Sequence, residues 1–508
     1  MKFSVEKTRL NDVAQECLIL FAYGEEKKEK DKSVTKLQWE KSVAGLENIL
    51  SDLEKKKLFS GKKEEIVFLR NHPFGKTAHL LFVGLGKKED VTLEILRRGL
   101  GKAARRLRQE KVGNAAVFLP SLKRNSWSWG KGGQSVTEAF ILSLYEFKQF
   151  KTKDEPSFEM DHISVVTEEK NLSTVKGGVA RGEILAKAQC LARDLQNTPA
   201  NELTPEKLAE RAREVAKDAH LKVTILDETQ IRKEKMGALI AVSQGSTRPP
   251  RFIVLEYVPA GKAKKTIALV GKGVTFDSGG ISLKPSLQME DMKYDMSGAA
   301  AVISAIKAIA ELKLPLHVVA IAPATENVPS GTAILPSSVV TAMSGKTIEI
   351  DNTDAEGRLI LADALHYAGQ YQPDVIVDIA TLTGACSVAL GRACCAAIGT
   401  DEKLIAKFHQ LGEEVGERVW PLPLYDEYSE DVKSHVADVC NAGKVRGGGA
   451  SQGAAFLKHF VPEGVSSWVH LDIAGVAYYT SGDLSSYVPR GGTGFGVRLL
   501  AEFAASLV

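Results

Sequence analysis

Acidic residues with a regular spacing mark the segment from residue 351 to residue 358. Asp354, Glu356 and Arg358 stand two positions apart, and side chains of an extended segment alternate between faces, so all three can point the same way. Two carboxylates that are held together repel unless a cation lies between them. Asp277 and Asp295 extend the set to four carboxylates, which is a typical ligand set for hard divalent ions. Shared carboxylates favour two bridged ions, which polarise a carbonyl and activate water at neutral pH.

Two lysines, Lys272 and Lys284, lie among these acids. A lysine can be a metal ligand only when it is neutral, and adjacent dications favour the neutral amine. A structural alternative remains open, in which Asp354 and Glu356 cap the helix that follows them, because acids are favourable near a helix N-terminus. The residues alone therefore predict a binuclear metal site but do not identify its substrate.

Predicted strands precede the segments that carry these residues. The strands are residues 266–270, 347–350 and 375–379, and each is followed by a polar or glycine-rich loop. In an open α/β sheet, ligands bind beyond the carboxyl ends of the strands. We therefore expect the loops after these three strands, which are residues 271–280, 351–358 and 380–385, to meet at one site.

The remainder of the second half alternates between strands and helices. Further strands are predicted at 223–226, 252–257 and 316–322, and helices at 297–310 and 359–368. Thr204 followed by Pro205 marks a helix start, because the hydroxyl caps free N–H groups and proline suits the first helical position. Apolar strands separated by helices predict a mainly parallel central sheet that is covered on both faces.

The first half predicts a smaller α/β domain. Strands are expected at 66–69, 80–83, 115–119 and 163–167, and a helix at 93–108, whereas the charged run 25–32 and residues 121–133 are interpreted as loops or solvated faces. Ile184, Ala188, Leu191 and Leu195 recur on one face of a helix that connects the two parts. The predicted organisation is an N-terminal α/β domain over 1–170, a linker helix over 171–200 and a larger catalytic α/β domain over 201–508.

Composition excludes several classes of protein. Lys and Arg number 66 against 63 Asp and Glu, an imbalance too small to imply a dedicated nucleic-acid or membrane-surface binder. The six cysteines form no CxxC pair, which disfavours a disulfide framework or a zinc ribbon. The charged N-terminus does not resemble a secretory signal, and we find no apolar run of the roughly 18 residues that a membrane span requires. A cytoplasmic protein is predicted.

Several sequence strings resemble the leucyl aminopeptidase (cytosol aminopeptidase) family, and the chain looks like a bacterial-type member. The strings are Asn352-Thr353-Asp354-Ala355-Glu356-Gly357-Arg358-Leu359, Gly271-Lys272-Gly273, Asp277-Ser278-Gly279-Gly280, Lys293-Tyr294-Asp295-Met296-Ser297-Gly298, Thr381-Leu382-Thr383-Gly384-Ala385, His470-Leu471-Asp472-Ile473-Ala474-Gly475 and Gly492-Thr493-Gly494-Phe495-Gly496-Val497-Arg498. They cover most of residues 197–508. The first 165 or so residues resemble the family only in length and α/β character.

The resemblance implies roles for the residues singled out above. One metal ion would be held by Lys272, Asp277, Asp295 and Glu356, and the other by Asp277, Asp354 and Glu356. Lys284 would polarise the scissile carbonyl, and Arg358 would hold a bicarbonate that acts as general base. Thr381, Leu382 and Gly384 would line the substrate pocket. The implied activity is release of N-terminal amino acids from peptides, leucine preferred, with Mn²⁺ or Zn²⁺, in a homohexamer of two stacked trimers.

Other signals in the sequence point to weaker alternatives. Ser451 lies in a G-x-S-x-G string typical of serine hydrolases, but no strand precedes it. Residues 344–347 imitate the end of a phosphate-binding loop without its first glycine. His470 and the pair Cys394-Cys395 are interpreted as buried structural residues. Some bacterial relatives also bind DNA, and Arg97-Arg98 with Arg105-Arg106 would supply a basic groove for that role.

Overall fold

The computed structural model describes residues 1–29, 32–43, 45–122, 127–153, 157–481 and 485–508. The chain divides into two units. Unit 1 consists of Met1–Lys187 with Asp483–Pro489, and unit 2 consists of Ala188–Gly482 with Arg490–Val508. Both units mix helices with strands, and the second is the larger, as predicted. The division falls within one long helix, and the exact domain limits 1–170, 171–200 and 201–508 stay a prediction of the sequence.

Unit 1 is built on a mixed, mostly parallel sheet. Its strands are β1 Lys2–Glu6, β2 Cys17–Glu29, β3 Lys32–Gln38, β4 Ile66–Leu69, β5 His79–Gly84, β6 Asn114–Phe118 and β7 His162–Val166. Its helices are α1 Glu47–Lys55, α2 Leu93–Gln109 and α3 Trp129–Ser143, and α4 Leu172–Asn197 continues into unit 2. The strand order is β1-β7-β6-β2-β5-β4, with β3 paired to β2. The strands and the helix predicted for the first half are therefore present.

Two predictions for the first half are wrong. The charged run 25–32 is not a loop, because its described residues belong to the antiparallel pair of β2 and β3. Glu25 lies opposite Lys36 in this pair. Opposite charges that face each other across two paired strands attract, so a strand can form in a segment whose many charges suggested a loop. Residues 121–133 are not one loop either, because α3 begins at Trp129 with Ser128 as its N-cap. Residues 123–126 of that predicted loop lie outside the described residues.

Unit 2 carries a larger mixed sheet that is mostly parallel. The strands are β8 Lys222–Leu226, β9 Arg251–Tyr257, β10 Thr266–Gly271, β11 Gly273–Asp277, β12 His317–Asn327, β13 Ser338–Thr341, β14 Thr347–Ile350, β15 Val375–Ala380, β16 Cys395–Gly399, β17 Val419–Pro421, β18 Val439–Cys440, β19 Trp468–Asp472, β20 Tyr478–Tyr479 and β21 Gly491–Gly492. The large sheet has the order β17-β16-β19-β15-β10-β12-β9-β8, and β11 pairs in parallel with β12. The mainly parallel central sheet is confirmed.

The helices of unit 2 alternate with these strands. They are α5 Pro205–Asp218, α6 Glu228–Lys233, α7 Gly237–Ser243, α8 Ser297–Glu311, α9 Glu356–Ala368, α10 Gly384–Leu390, α11 Glu402–Val415, α12 Asp426–Asp431, α13 Gly449–Lys458 and α14 Val497–Ala505. The predicted cap of α5 is present, because the Thr204 side chain accepts a hydrogen bond from the Lys207 N–H. Helices α7, α9 and α13 share one hydrophobic core with strands of the large sheet.

Two expectations about the strands near the acidic residues need correction. Residues 347–350 form a strand, but β14 pairs with β13 and β18 in a separate small sheet. Its residues alternate between buried and half-buried positions, which is typical of a strand with one covered face and not of a central parallel strand. Residues 271–280 are not a simple loop, because β11 lies within them and extends the large sheet.

None of the helices in the described part of the chain combines the length and the apolar character that a membrane-spanning segment needs.

Candidate metal and substrate site

The acidic residues and lysines singled out in the sequence lie around one cavity of unit 2. Lys272 separates β10 from β11, Asp277 ends β11, and Asp295 lies in the short 3-10 helix Met289–Met296 before α8. Asp354 follows β14, and Glu356 is the first residue of α9. The cavity that these residues line measures about 230 Å³, and Lys284 also borders it. Elements of the large sheet and of the small sheet thus both contribute to the site.

Lys272 lies between two of the acids at the buried end of the site. Its Nζ is 2.8 Å from Asp295 Oδ2 and 2.7 Å from Glu356 Oε1, and it donates a hydrogen bond to the Thr381 carbonyl at 3.0 Å. Burial acts to lower the pKa of Lys272, but the charges of Asp295, Glu356 and Asp277 outweigh it and raise the pKa above its ordinary value. In this arrangement the ammonium neutralises carboxylates that would otherwise repel each other.

Lys284 lies between the other two acids and is partly exposed to the cavity. Its Nζ is 2.8 Å from Asp277 Oδ2 and 2.5 Å from Asp354 Oδ1. Burial again acts to lower the pKa of this lysine, and the charges of Asp277 and Glu356 more than offset it, so that the pKa is raised. The two lysines therefore serve two different pairs of carboxylates.

The carboxylates form the set of ligands that a divalent cation would need. Asp277, Asp295 and Glu356 are all buried, and each offers an oxygen within 4.8 Å of the others. Burial raises the pKa of Asp295, Asp354 and Glu356, and the charge of Asp277 raises each of them further. Glu356 Oε2 is buried and has no hydrogen-bond partner. Divalent metal ions prefer hard oxygen donors such as these carboxylates. A bound cation would also offset the crowded negative charge and provide a partner for the unpaired oxygen of Glu356.

The turn that follows Asp277 depends on two glycines. Gly279 and Gly280 have φ values of +89° and +67°, which lie in the left-handed region that favours glycine. A Cβ on Gly280 would lie 2.8 Å from Asn327 Oδ1 and 3.0 Å from Thr353 Oγ1. The turn can therefore fold tightly against the segment before Asp354, which brings Lys284 to that residue.

Arg358 lies within α9, and its position corrects one expectation. Because α9 begins at Glu356, Glu356 and Arg358 are helical and do not alternate along an extended segment. The capping alternative holds in part: the N-cap is Ala355 and no side chain caps the helix by a hydrogen bond, but Glu356 lies in the first turn, where an acid is favourable. Arg358 Nη1 donates to the Asn441 carbonyl at 2.8 Å, whereas its buried Nε has no hydrogen-bond partner.

The charge of Arg358 is held in a buried environment. Burial lowers the pKa of its guanidinium from the ordinary value, while the charges of Glu356 and Asp472 act in the opposite direction. An arginine with an unsatisfied N–H is suited to bind a small planar anion through paired donors, but Arg358 is not among the residues that line the cavity.

The loop after β15 forms a wall of the cavity. Thr381, Leu382 and Gly384 all line it, and their assignment to a substrate pocket stays a prediction. Thr381 Oγ1 donates to Asp295 Oδ1 at 2.7 Å. Asp472, at the end of β19, accepts hydrogen bonds from the Leu382 N–H at 3.1 Å and from Thr383 Oγ1 at 2.6 Å. The loop is thus attached both to a predicted metal ligand and to the neighbouring strand.

Several lining residues were not singled out as site residues in the sequence. They include Met292, Tyr294, Ala474 and Tyr478. Tyr294 and Tyr478 stack with ring centroids 4.5 Å apart, and both line the cavity. Tyr294 and Ala474 belong to the strings quoted for the resemblance, so attention to the neighbours of charged residues could have found them. Tyr478 carries no such signal.

The structure gives no support to the hydrolase and phosphate-loop alternatives. Ser451 is buried within α13, and its hydroxyl donates to the Pro423 carbonyl at 2.7 Å, so it is not on a strand-to-helix elbow. The segment 344–347 leads into β14 and not into a helix. His470 is buried in the core, with Nδ1 2.5 Å from Asp378 Oδ1, and Cys394 and Cys395 are free thiols.

The arginines considered for a basic groove contact groups within unit 1. Arg97 is buried against Glu138, and Arg106 pairs with Glu110 at 2.8 Å. Arg98 pairs with Glu94 at 2.8 Å, and Arg105 donates to backbone carbonyls of Ser485 and Ser486. These contacts do not favour a DNA-binding role for the four arginines.

Comparisons with known proteins agree with this site. The model of the cytosol aminopeptidase family catalytic domain matches residues 190–501, and that of the same family's N-terminal domain matches residues 19–154. A protein of Syntrophotalea carbinolica, named a probable cytosol aminopeptidase, is 42% identical over 96% of this chain and 96% of its own. A protein of Chlorobaculum parvum with the same name is 42% identical over the full length of both chains.

Solved structures are also similar over nearly the whole chain. The bottromycin maturation enzyme BotP in complex with Mn superimposes with a TM-score of 0.84 at 34% sequence identity. This similarity covers 97% of the present chain and 100% of the BotP chain. A second structure of BotP gives a TM-score of 0.83 at 34% sequence identity.

Proposed function

The chain belongs to the cytosol aminopeptidase family, and on that basis we propose that it releases single N-terminal amino acids, leucine preferred, with two divalent metal ions bound per subunit. Membership of the family makes it a metal-dependent aminopeptidase, a hydrolase that acts at the amino terminus of peptides. The observation that carries the finer proposal is the meeting of four carboxylates and two lysines around one cavity.

We assign the metal ligands from the contacts in the cavity together with the resemblance. Asp277, Asp295 and Glu356 would hold one ion together with Lys272, which would have to give up its proton when the cation binds, and Asp277, Asp354 and Glu356 would hold the other. The close approach of Asp277, Asp295 and Glu356 and the unpartnered oxygen of Glu356 support this assignment. When bound, the ions lower the pKa of the attacking water and polarise the scissile carbonyl. The similarity to BotP in complex with Mn favours Mn²⁺, and Zn²⁺ is the alternative.

Lys284 and Arg358 are the proposed catalytic residues. Lys284 borders the cavity, where its ammonium can stabilise the negative charge that develops on the carbonyl oxygen. Arg358 would hold bicarbonate through its free Nε–H and the adjacent donors, and the bicarbonate would accept a proton from the attacking water. Each role uses an interaction that is stronger in the transition state than in the ground state.

The walls of the cavity suit a small apolar side chain. Leu382, Met292 and Ala474 line the cavity and offer apolar surface. The acids that line the same cavity would attract a free α-amino group. This distribution supports preference for leucine at an unblocked peptide terminus.

We also propose that the protein works in the cytoplasm as a homohexamer. The relatives are named cytosol aminopeptidases, which supports the location. Light scattering on the purified protein is expected to give the mass of six chains, and the mass of a single chain would contradict the proposed assembly.

The test of the proposed function compares two substrates and two metal states. Leucine-p-nitroanilide is expected to be hydrolysed, and its N-acetylated form is expected to resist, because the acetyl group removes the basic amine. Treatment with a chelator is expected to abolish hydrolysis, and Mn²⁺ or Zn²⁺ to restore it. Equal hydrolysis of both substrates, or activity that survives complete metal removal, would overturn the proposal.

A further inference from the structure

Asn327, the last residue of β12, connects the two segments that carry the proposed metal ligands. We propose that Asn327 is a positioning residue that orients the bridging carboxylate of Asp277 and holds it in register with the segment that carries Asp354. This inference rests on the proposed binuclear function and names a residue that the sequence strings for the site do not include.

The first contact of Asn327 selects which oxygen of Asp277 faces the cavity. Asp277 and Asn327 are partners in the parallel pair of β11 and β12. Asn327 Nδ2 donates to Asp277 Oδ1 at 2.8 Å, and the Gly279 N–H donates to the same oxygen at 2.9 Å. Oδ1 is thereby occupied by two donors, whereas Oδ2 faces Lys284 Nζ. Hydrogen bonds of this kind fix the orientation of a ligating carboxylate.

The second contact joins β11 to the segment before α9. The same Nδ2 donates to the Thr353 carbonyl at 3.0 Å, one residue before Asp354. An amide nitrogen carries two hydrogens, so one Asn side chain satisfies both acceptors. Because β11 belongs to the large sheet and β14 to the small one, no ladder between these two strands sets the distance from Asp277 to Asp354. The Asn327 amide bridges this gap directly from β12, beside hydrogen bonds that join Thr353 to Gly279 and Ser282 in the turn after β11.

The environment of Asn327 is consistent with a fixed donor. The residue is 2% exposed, and its backbone carbonyl accepts hydrogen bonds from the Ser278 N–H at 2.9 Å and from Ser278 Oγ at 2.8 Å. The residue is therefore held through its main chain while its side chain orients Asp277. A neutral amide can do this without adding charge to a site that already contains four acids and two lysines.

The test measures metal binding directly. Asn327→Ala removes both contacts, and Asn327→Ser is a milder variant whose hydroxyl is too short to span them. Thr325→Val is the matched control, because Thr325 is buried on the same face of β12 and its hydroxyl bonds only to a backbone carbonyl. Each metal-stripped protein is titrated with Mn²⁺ by calorimetry, and the loaded proteins are compared by electron paramagnetic resonance. Thermal melting of the metal-free proteins measures any general loss of folding.

We expect both Asn327 variants to bind Mn²⁺ about 10- to 100-fold more weakly than the wild type and to lose the signal of a coupled metal pair. The control is expected to keep both. Wild-type affinity and signal in Asn327→Ala and Asn327→Ser would overturn the inference and leave the proposed function intact. An equal loss in Thr325→Val, or failure of both Asn327 variants to fold, would also overturn it, because the role would then be structural. Absence of Mn²⁺ binding by the wild type would instead reject the proposed function.

Discussion

At the scale of single residues, the two lysines of the site have different environments and so different predicted roles. Both lysines line the cavity, but Lys272 is buried between Asp295 and Glu356, whereas Lys284 is partly exposed between Asp277 and Asp354. A buried lysine in the middle of the carboxylates is in the position of a ligand. The more exposed lysine can contact the substrate.

Lys284→Ala is expected to reduce kcat by about 100- to 1,000-fold, the usual effect of removing one donor that stabilises a developing oxyanion. Bound metal, measured by elemental analysis, should stay near the wild-type value. Lys272→Ala is expected to lose metal as well as activity. Lys207→Ala, at an exposed lysine that pairs with Glu210, is the control and should change neither. Metal loss in Lys284→Ala would show that this lysine has a structural and not a catalytic role.

Arg358 can be tested through its proposed anion. In buffer freed of carbon dioxide, turnover by the wild type is expected to fall and to recover on addition of bicarbonate, since the general base would be restored. Arg358→Ala should be slow under both conditions while it retains its metal. A variant that responds to bicarbonate as the wild type does would remove Arg358 from this role.

At the scale of elements, the loop between β15 and α10 connects the metal ligands to the substrate pocket. Asp472 at the end of β19 accepts hydrogen bonds from this loop, and Thr383 Oγ1 both donates to Asp472 and accepts from the Cys386 N–H at 3.1 Å. The Thr383 hydroxyl is therefore one of the groups that hold the loop, and it also caps α10.

Thr383→Val is expected to raise KM for leucine-p-nitroanilide several-fold with a smaller change in kcat, because the wall of the pocket loses two hydrogen bonds while the metal ligands keep theirs. Thr383→Ser retains the hydroxyl and should behave like the wild type. Steady-state kinetics with metal analysis provide the measurement. A fall in bound metal, or an equal change in the Ser variant, would contradict this explanation.

Helix α9, which carries Glu356 and Arg358, is attached to its surroundings by a buried acid. Asp363 accepts hydrogen bonds from the Leu239 N–H of α7 at 2.9 Å and from the Met343 N–H at 2.7 Å. Burial raises the pKa of Asp363 to about 7, although these backbone donors act in the opposite direction. The position of α9 thus depends on a group that titrates near neutral pH.

The stability of the protein should depend on the proton of Asp363 in a defined direction. The folded state keeps this proton up to about pH 7, whereas the unfolded chain loses it near pH 4. The contribution of Asp363 to the free energy of unfolding is therefore largest at low pH and is lost as the pH rises through 7. The advantage of the wild type over Asp363→Asn should therefore shrink by about 3 kcal/mol between pH 5 and pH 8. Urea unfolding of both proteins at the two pH values measures the difference. An advantage that is independent of pH would mean that Asp363 is ionised throughout.

At the scale of the whole molecule, periodicity and turn chemistry predicted most of the elements. The apolar runs that became β10 and β15 are buried strands of the large sheet, and Thr204 with Pro205 begins α5 as expected. Local patterns of this kind predict the elements correctly because the backbone propensity of the residues and their burial in the fold favour the same secondary structure.

The remaining features depend on contacts that are distant in sequence. The glycine-rich segment after β10 contains β11 because β12 provides a partner for it, and β14 leaves the large sheet because it pairs with β13 and β18. Tyr478 lines the cavity while its ring stacks on Tyr294, a contact between distant residues that no local sequence pattern indicates. The charged ligands were identifiable because such a concentration of acids is costly without a cation, whereas apolar wall residues resemble any core residue.

Metal binding should also stabilise the whole protein. Ions that bind only the folded state add RT ln(1 + [L]/Kd) to its stability, which is about 2.7 kcal/mol for one site at a metal concentration 100 times Kd. Removal of metal is therefore expected to lower Tm, and Mn²⁺ to restore it in a concentration-dependent way. Differential scanning calorimetry with Mg²⁺ or Ca²⁺ as comparison ions tests the selectivity. A Tm that does not respond to any divalent ion would contradict a metal site built from these carboxylates.

The central claim is that Asp277, Asp295, Asp354 and Glu356, with Lys272, hold two ions that are both needed for catalysis. The most direct measurement is the rate of leucine-p-nitroanilide hydrolysis by metal-stripped protein as Mn²⁺ is added in known equivalents per chain. We predict negligible hydrolysis without metal and full activity only when two equivalents are bound. Full activity without metal, or a rate that saturates at one equivalent, would contradict the binuclear account.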